Sequence, residues 1–253
     1  MDVLKMKKDE ILNFDPYDDN EVNRLLTREE ILHIFREFGG LWIFNRDTAK
    51  EGKVPKRHAL LKSGRHSDGF LNSKAVLNHP EMVKLFAFQM LLKWHELIIR
   101  EKSLKSAPYY IAGIPDGATA LGLEFSRILG ANIPTLIKID KEIKIASDLE
   151  RKKTLLLVED FCTKGTGFIQ AVIDIKSKYP KVKILPYEFV IINRGGLEDI
   201  YVDGVGTFKI EPIATHRIRD WRADECPLCD LGSKAVKPKE SPEIWAEFLA
   251  ESA

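Results

Sequence analysis

Four consecutive apolar residues, Leu155-Leu156-Leu157-Val158, run without alternation straight into two adjacent acids, Glu159 and Asp160. Apolar sequence that does not alternate is the pattern of a strand covered on both faces, as in a parallel sheet sandwiched between helices. The surrounding chain agrees. Tyr109 to Ile114, Pro134 to Ile137, Thr154 to Val158 and Val182 to Ile192 read as strands, and Ala120 to Leu129 and Phe168 to Lys178 as helices. Such alternation specifies an α/β fold with a central parallel sheet flanked by helices. Pro186, inside the last run, belongs at an edge or a bulge, because proline removes a ladder donor.

Upstream, Thr27-Arg28-Glu29-Glu30 is a capping-box pattern opening an amphipathic helix that Gly39-Gly40 ends. Pro80 stands at the first turn of a long packing helix that runs to Leu97. Residues 1–26, rich in Asp, Asn, Lys and Glu, read as a solvated arm or a short appended helix rather than core. Residues 27–239 read as one domain, and residues 240–253 as a C-terminal helix opened by Ser241-Pro242-Glu243.

The 39 basic and 38 acidic side chains of the 253-residue chain cancel to a net charge of +1, so no global field marks a nucleic-acid or membrane-surface protein. No apolar run approaches the ~20 residues of a membrane span, and Met1 to Glu10 lacks the apolar stretch of a signal peptide. A cytoplasmic protein is expected. Three cysteines, Cys162, Cys226 and Cys229, do not make a disulfide framework. Cys226-x-x-Cys229 is half of a zinc site, for which Cys162 and scattered histidines such as His216 are the further candidates. His66 and His79 read as structural or solvated.

Charge at the end of a buried strand needs a reason, and in open parallel sheets ligands bind at the carboxyl ends of strands. After Glu159 and Asp160 comes Thr163-Lys164-Gly165-Thr166-Gly167, and helical periodicity starts at Phe168. Glycines there let successive N–H groups curl around an anion at the helix start. A diol-binding acid pair beside a phosphate-binding loop suits a ribose 5-phosphate. The segment matches neither the Gly-x-x-x-x-Gly-Lys-Ser/Thr nucleotide loop nor the dinucleotide fingerprint.

Glu159-Asp160-Phe161-Cys162-Thr163-Lys164-Gly165-Thr166 resembles the phosphoribosyl diphosphate (PRPP) motif of type I phosphoribosyltransferases, most similar within them to orotate phosphoribosyltransferase. Lys62-Ser63-Gly64-Arg65-His66-Ser67-Asp68-Gly69-Phe70-Leu71-Asn72 resembles that family's N-terminal substrate segment, and Gly113-Ile114-Pro115-Asp116-Gly117-Ala118 its pyrophosphate loop. Arg194 matches the arginine that meets the base carboxylate, and Cys226-Pro227-Leu228-Cys229 is similar to a tail of some longer bacterial members. The resemblance covers Thr27 to Lys239. It implies the type I phosphoribosyltransferase fold with a small N-terminal hood, and displacement of pyrophosphate from PRPP by a ring nitrogen of an acidic base. It further implies Mg2+ on the diphosphate and a homodimer. By resemblance Glu159 and Asp160 are catalytic, with Lys138 and Lys141 as candidate loop cations. Thr163, Lys164, Gly165, Thr166, Gly167, Pro115, Asp116 and Gly117 bind PRPP, and Lys62, Phe70, Thr163 and Arg194 the base.

The resemblance breaks at the mobile, glycine-rich catalytic loop, which in the family carries an Arg-Lys pair, a further lysine and a histidine. Lys138 to Ser147 stands in its place, with Lys138, Lys141 and Lys144 but no arginine, histidine or glycine. That departure bears on turnover more than on ligand binding. A PRPP- or nucleotide-binding sensor on the same fold is therefore a second reading. A nucleic-acid-binding regulator is a third, opposed by the near-neutral charge.

Overall fold

Strand-helix alternation from Tyr109 onward does produce a mostly parallel sheet in the computed structural model, which describes residues 2–18, 23–104 and 106–251, apart from the side chains of Thr48 and Lys50. Parts of the N-terminal arm (Met1, Asp19 to Val22) and the last two residues of the C-terminal segment lie outside the described residues. The chain divides into two units, Met1–Ile31 with Leu77–His216, and Leu32–Val76 with Arg217–Ala253.

The first unit contains, in chain order, α1 (Pro80–Arg100), β1 (Tyr110–Gly113), α2 (Thr119–Leu129), β2 (Leu136–Ile139), β3 (Glu142–Ile145), β4 (Thr154–Cys162), α3 (Thr166–Lys178), β5 (Lys183–Asn193), β6 (Asp199–Val202) and β7 (Gly206–Thr215). The five-stranded sheet has the order β6-β7-β5-β4-β1, parallel throughout except for β6 at the edge. On one face Phe189 of β5 meets Trp94 of α1 and Phe125 of α2, with ring centroids 6.1 and 6.2 Å apart. On the other, Leu155 and Leu157 pack in one cluster with Phe168, Ala171, Val172 and Ile175 of α3. Burying a side chain such as Phe168 contributes about 2–3 kcal/mol through apolar area alone.

Pro186 sits at a register break. Leu155 pairs with Ile184 but Leu157 pairs with Glu188, so β5 has two extra residues around the proline. The capping box forms as well, with Thr27 N–H donating to Glu30 Oε2 (2.8 Å) and Glu30 N–H to Thr27 Oγ1 (3.2 Å).

Two sequence expectations are corrected. Residues 134–137 are not a strand of the parallel sheet: the strand is β2, shifted to Leu136–Ile139, and it pairs antiparallel with β3 in a separate two-stranded hairpin. The arm is not wholly solvated either. Val3, Ile11, Phe14 and Leu26 are buried, Ile11 on a helix of only five residues, too short for periodicity to show in the sequence.

The second unit has a four-stranded sheet ordered Asp220–Trp221, His66–Ser67, Arg57–Leu60, Lys234–Val236, and a two-stranded pairing of Leu41–Ile43 with Gly69–Leu71. Its small core gathers Trp42, Phe44, Ala59, Leu228 and Phe248. Helix Pro242–Ala250 is capped by Ser241 Oγ, which accepts from Ile244 N–H, and it places Phe248 edge-on to Trp42 at 4.8 Å. Among the described residues no helix is long and apolar enough to cross a membrane.

Candidate active site

Because β1, β4 and β5 are adjacent and parallel, the loops that follow them emerge side by side at one edge of the sheet. The last residues of β4 are Glu159, Asp160, Phe161 and Cys162. Successive side chains of a strand point to opposite faces, so the two half-buried acids diverge toward different loops. Asp160 faces the loop after β1: a Cβ on Gly117 would lie 2.0 Å from Asp160 Oδ2. Glu159 faces the first turn of α3, where a Cβ on Gly167 would lie 2.7 Å from Glu159 Oε1. A larger residue at either glycine would push the carboxylate out of its present position.

The loop after β1 is held by Ile114 N–H donating to Val158 O (2.8 Å) and Ala118 N–H to Ile114 O (3.1 Å). Between these anchors lie Pro115, Asp116 and Gly117; the Pro115–Asp116 peptide is cis and Asp116 is exposed. The loop after β4 turns through Gly165 in the left-handed region (φ 65°), which caps the 13-residue α3. The first N–H groups of α3 have no intrahelical acceptor, and the helix dipole adds positive potential there. Thr166 and Lys164 are exposed and Thr163 is half-buried beside them. Arg194 follows β5; its N–H and that of Gly195 both donate to Cys162 O, at 2.9 and 3.1 Å. This fastens Arg194 to the start of the Thr163 loop.

One acid was missed at the sequence level. Glu188 of β5 is completely buried, just past the bulge. Burial pushes its carboxyl pKa up. Glu159 is pushed well above the ordinary glutamate range, first by burial and then by the Glu188 charge, while Lys138 opposes the shift. Burial and the same two acids raise the Cys162 thiol. The clue was a lone acid inside the apolar run Val182 to Ile192, the signal already read at Glu159. A raised folded-state pKa means that the native protein keeps a proton which the unfolded chain has lost above about pH 4.5. Stability is therefore expected to fall as pH rises through that point, and Glu188→Gln to flatten the fall; parallel urea-unfolding curves at pH 5 and pH 8 check it.

Lys138 to Ser147 is not an open loop. Asp140 and Lys141, at φ 48° and 71°, form the two-residue turn of the β2–β3 hairpin. The hairpin lies on α3: Ile143 and Ile145 are buried, Ile145 N–H donates to Asp174 Oδ2 (2.8 Å), and Lys178 Nζ donates to Ile145 O (3.2 Å). Lys144 pairs with Glu142 (2.7 Å) and Asp174 (3.5 Å), whereas Lys138 and Lys141 are exposed. The alternation of Ile137, Ile139, Ile143 and Ile145 with charged residues was the period-2 signal for this hairpin.

Lys62 and Phe70 belong to the second unit. Lys62 is exposed on the turn between two strands. Phe70 meets the Trp245 ring at 5.6 Å, with Lys239 Nζ 5.6 Å from its own ring centre.

No protein-family model matches the chain. It is 26% identical over 219 residues to an orotate phosphoribosyltransferase of Thermoanaerobacter sp. (strain X514), covering 84% of this chain and 97% of the relative. To that of Caldanaerobacter subterraneus subsp. tengcongensis it is 28% identical over 217 residues, with the same coverages. Among solved structures, the orotate phosphoribosyltransferase from Aeropyrum pernix superposes with a TM-score of 0.51 at 14% identity, over 73% of this chain and 93% of that one. The UMP synthase of Leishmania donovani gives 0.53 at 14% identity, over 87% of this chain and 41% of that one. Those two likenesses concern the fold; the sequence relatives run nearly end to end with their counterparts and carry one name. Together with the acid pair, the glycine-capped helix start and the loop pressed on Asp160, they make the chain similar to the type I phosphoribosyltransferases, and within them most similar to orotate phosphoribosyltransferase.

Proposed function

We propose that this protein transfers the 5-phosphoribosyl group of PRPP to a ring nitrogen of an orotate-like acidic pyrimidine base, releasing pyrophosphate. The observation that carries the reading is the convergence, at the ends of three adjacent parallel strands, of an acid pair, an anion-binding helix start and a loop in close approach to Asp160. Each part answers one need of the reaction. Positive charge grows on the ribose as the C1–O bond breaks; Glu159 and Asp160 fix the ribose hydroxyls and favour that charge. Thr163, Lys164, Gly165, Thr166 and Gly167 grip the 5-phosphate through N–H groups and hydroxyls. Pro115, Asp116 and Gly117 receive the leaving pyrophosphate. Arg194 pairs with the carboxylate of the base.

Mg2+ carried on the diphosphate, with no direct ligand from the protein, would neutralise part of the leaving charge. Lys138, which already acts electrostatically on Glu159, and Lys141 supply cations from the hairpin. The family resemblance read in the sequence implies a homodimer, to be tested by sedimentation.

The test is an assay of the purified protein with PRPP, Mg2+ and orotate. The expected result is orotate consumption matched one-to-one by pyrophosphate. Tight PRPP binding with no turnover on any of a panel of bases would overturn the enzymatic reading and leave a PRPP-binding sensor.

A further inference from the structure

The second unit contains a cluster that the proposed transfer reaction does not use. His58, His66, Cys226 and Cys229 each bring one ligand-type atom to a common point, all four lying within 4.8 Å of one another. His58 Nε2 is 3.1 Å from His66 Nδ1 and 3.6 Å from each of the two Sγ atoms, and Cys229 Sγ is 3.3 Å from His66 Nδ1. Tetrahedral zinc, with bonds of about 2.0–2.1 Å to nitrogen and 2.3 Å to sulfur, holds its ligand atoms about 3.3–3.8 Å apart. These four separations fall within a few tenths of an ångström of that span, and the remaining two are within 4.8 Å, close enough for small side-chain rotations to complete the set.

The local structure is built to present these atoms. The imidazoles come from adjacent paired strands, Arg57–Leu60 and His66–Ser67. The thiols come from the turn Cys226-Pro227-Leu228-Cys229, closed by Cys229 N–H donating to Cys226 O (3.1 Å) and continued by Gly232 N–H donating to Cys229 O (2.8 Å). His58 is fully buried, and its other ring nitrogen, Nδ1, lies 3.1 Å from Ser233 Oγ. That contact fixes the ring so that Nε2 faces the cluster, the usual outer support of a metal-bound histidine. The further ligands expected from the sequence, Cys162 and His216, belong to the first unit.

We propose that His58, His66, Cys226 and Cys229 bind one zinc ion as a structural site. Two thiolates and two imidazoles in a compact tetrahedral set are the donor chemistry of zinc. Four protein ligands leave no position open for water or substrate, so the ion has a structural role. It joins parts of the chain separated by 160 to 171 positions, and so ties the C-terminal turn to the strands near His58.

The experiment uses the full chain purified without added chelator. Elemental analysis is expected to give about one zinc per chain, and chelator treatment to lower Tm by about 5 °C or more. Replacing zinc with Co(II) is expected to produce the visible bands of tetrahedral cobalt together with a thiolate-to-cobalt charge-transfer band. Cys229→Ser should weaken or remove that charge-transfer band, Cys162→Ser should keep it, and Ser233→Ala should weaken metal affinity by about 10–100-fold. If Cys229→Ser does not fold, the cobalt spectrum of the unaltered chain decides. Overturning results are a reduced protein that takes up neither zinc nor cobalt, a Cys226–Cys229 disulfide in place of two free thiols, or a cobalt spectrum without thiolate character. None of these readouts requires phosphoribosyl transfer, so the zinc site and the enzymatic reading stand or fall separately.

Discussion

Replacing Glu159 by Gln and Asp160 by Asn together is expected to lower kcat/KM for PRPP-dependent orotate consumption by about 10²–10³-fold, the cost of removing a preorganised electrostatic contact to a developing charge. The substitutions preserve shape, so the fold should persist; circular dichroism and an unchanged elution volume check that. Asp160→Asn alone tests the side facing Gly117, and Glu159→Gln alone the side facing Gly167. Glu159→Gln also removes the half-buried acid that repels buried Glu188, so it should stabilise the protein slightly above neutral pH while slowing the reaction. Steady-state kinetics over PRPP concentration distinguish the outcomes, and a double variant within about twofold of the parent would sink the assignment of these acids.

Gly122→Ala is expected to destabilise the first unit by about 3 kcal/mol, the upper range for forcing an extra group into a packed core, or about 6–12 °C in Tm. Gly122 on α2 packs directly on β1: a Cβ there would lie 2.2 Å from Gly113 N and 2.6 Å from Gly113 Cα. Gly113 is equally confined, its Cβ position lying 1.8 Å from Ala118 O. Neither obstacle is the movable tip of a side chain, so relief requires α2 to shift from the strand whose loop carries Pro115, Asp116 and Gly117. A loss of activity should accompany the loss of stability. Thermal unfolding followed by circular dichroism measures the effect, and a Tm within about 2 °C of the parent would contradict the packing described.

The sequence determined the layered α/β architecture and the centre of the proposed active site, because both are written in neighbouring residues. An apolar run meeting Glu159 and Asp160, and glycines preceding Phe168, encode a buried strand, its charged end and a helix start within fewer than fifteen positions. Gly39, Gly130 and Ser241 likewise mark helix ends through backbone geometry or capping that any chain must obey. Where signals were short or mixed, tertiary structure decided. The β2–β3 hairpin hides behind charged residues, and the five-residue helix holding Ile11 is too brief to show a period. Glu188 could be placed against Glu159 only once β5 was paired with β4 across the Pro186 bulge. The ligand set of His58, His66, Cys226 and Cys229 was the least legible, since no local rule links residues 160 or more positions apart. Local propensity acts over a few bonds, whereas a four-ligand cluster exists only after strand pairing has brought distant segments together.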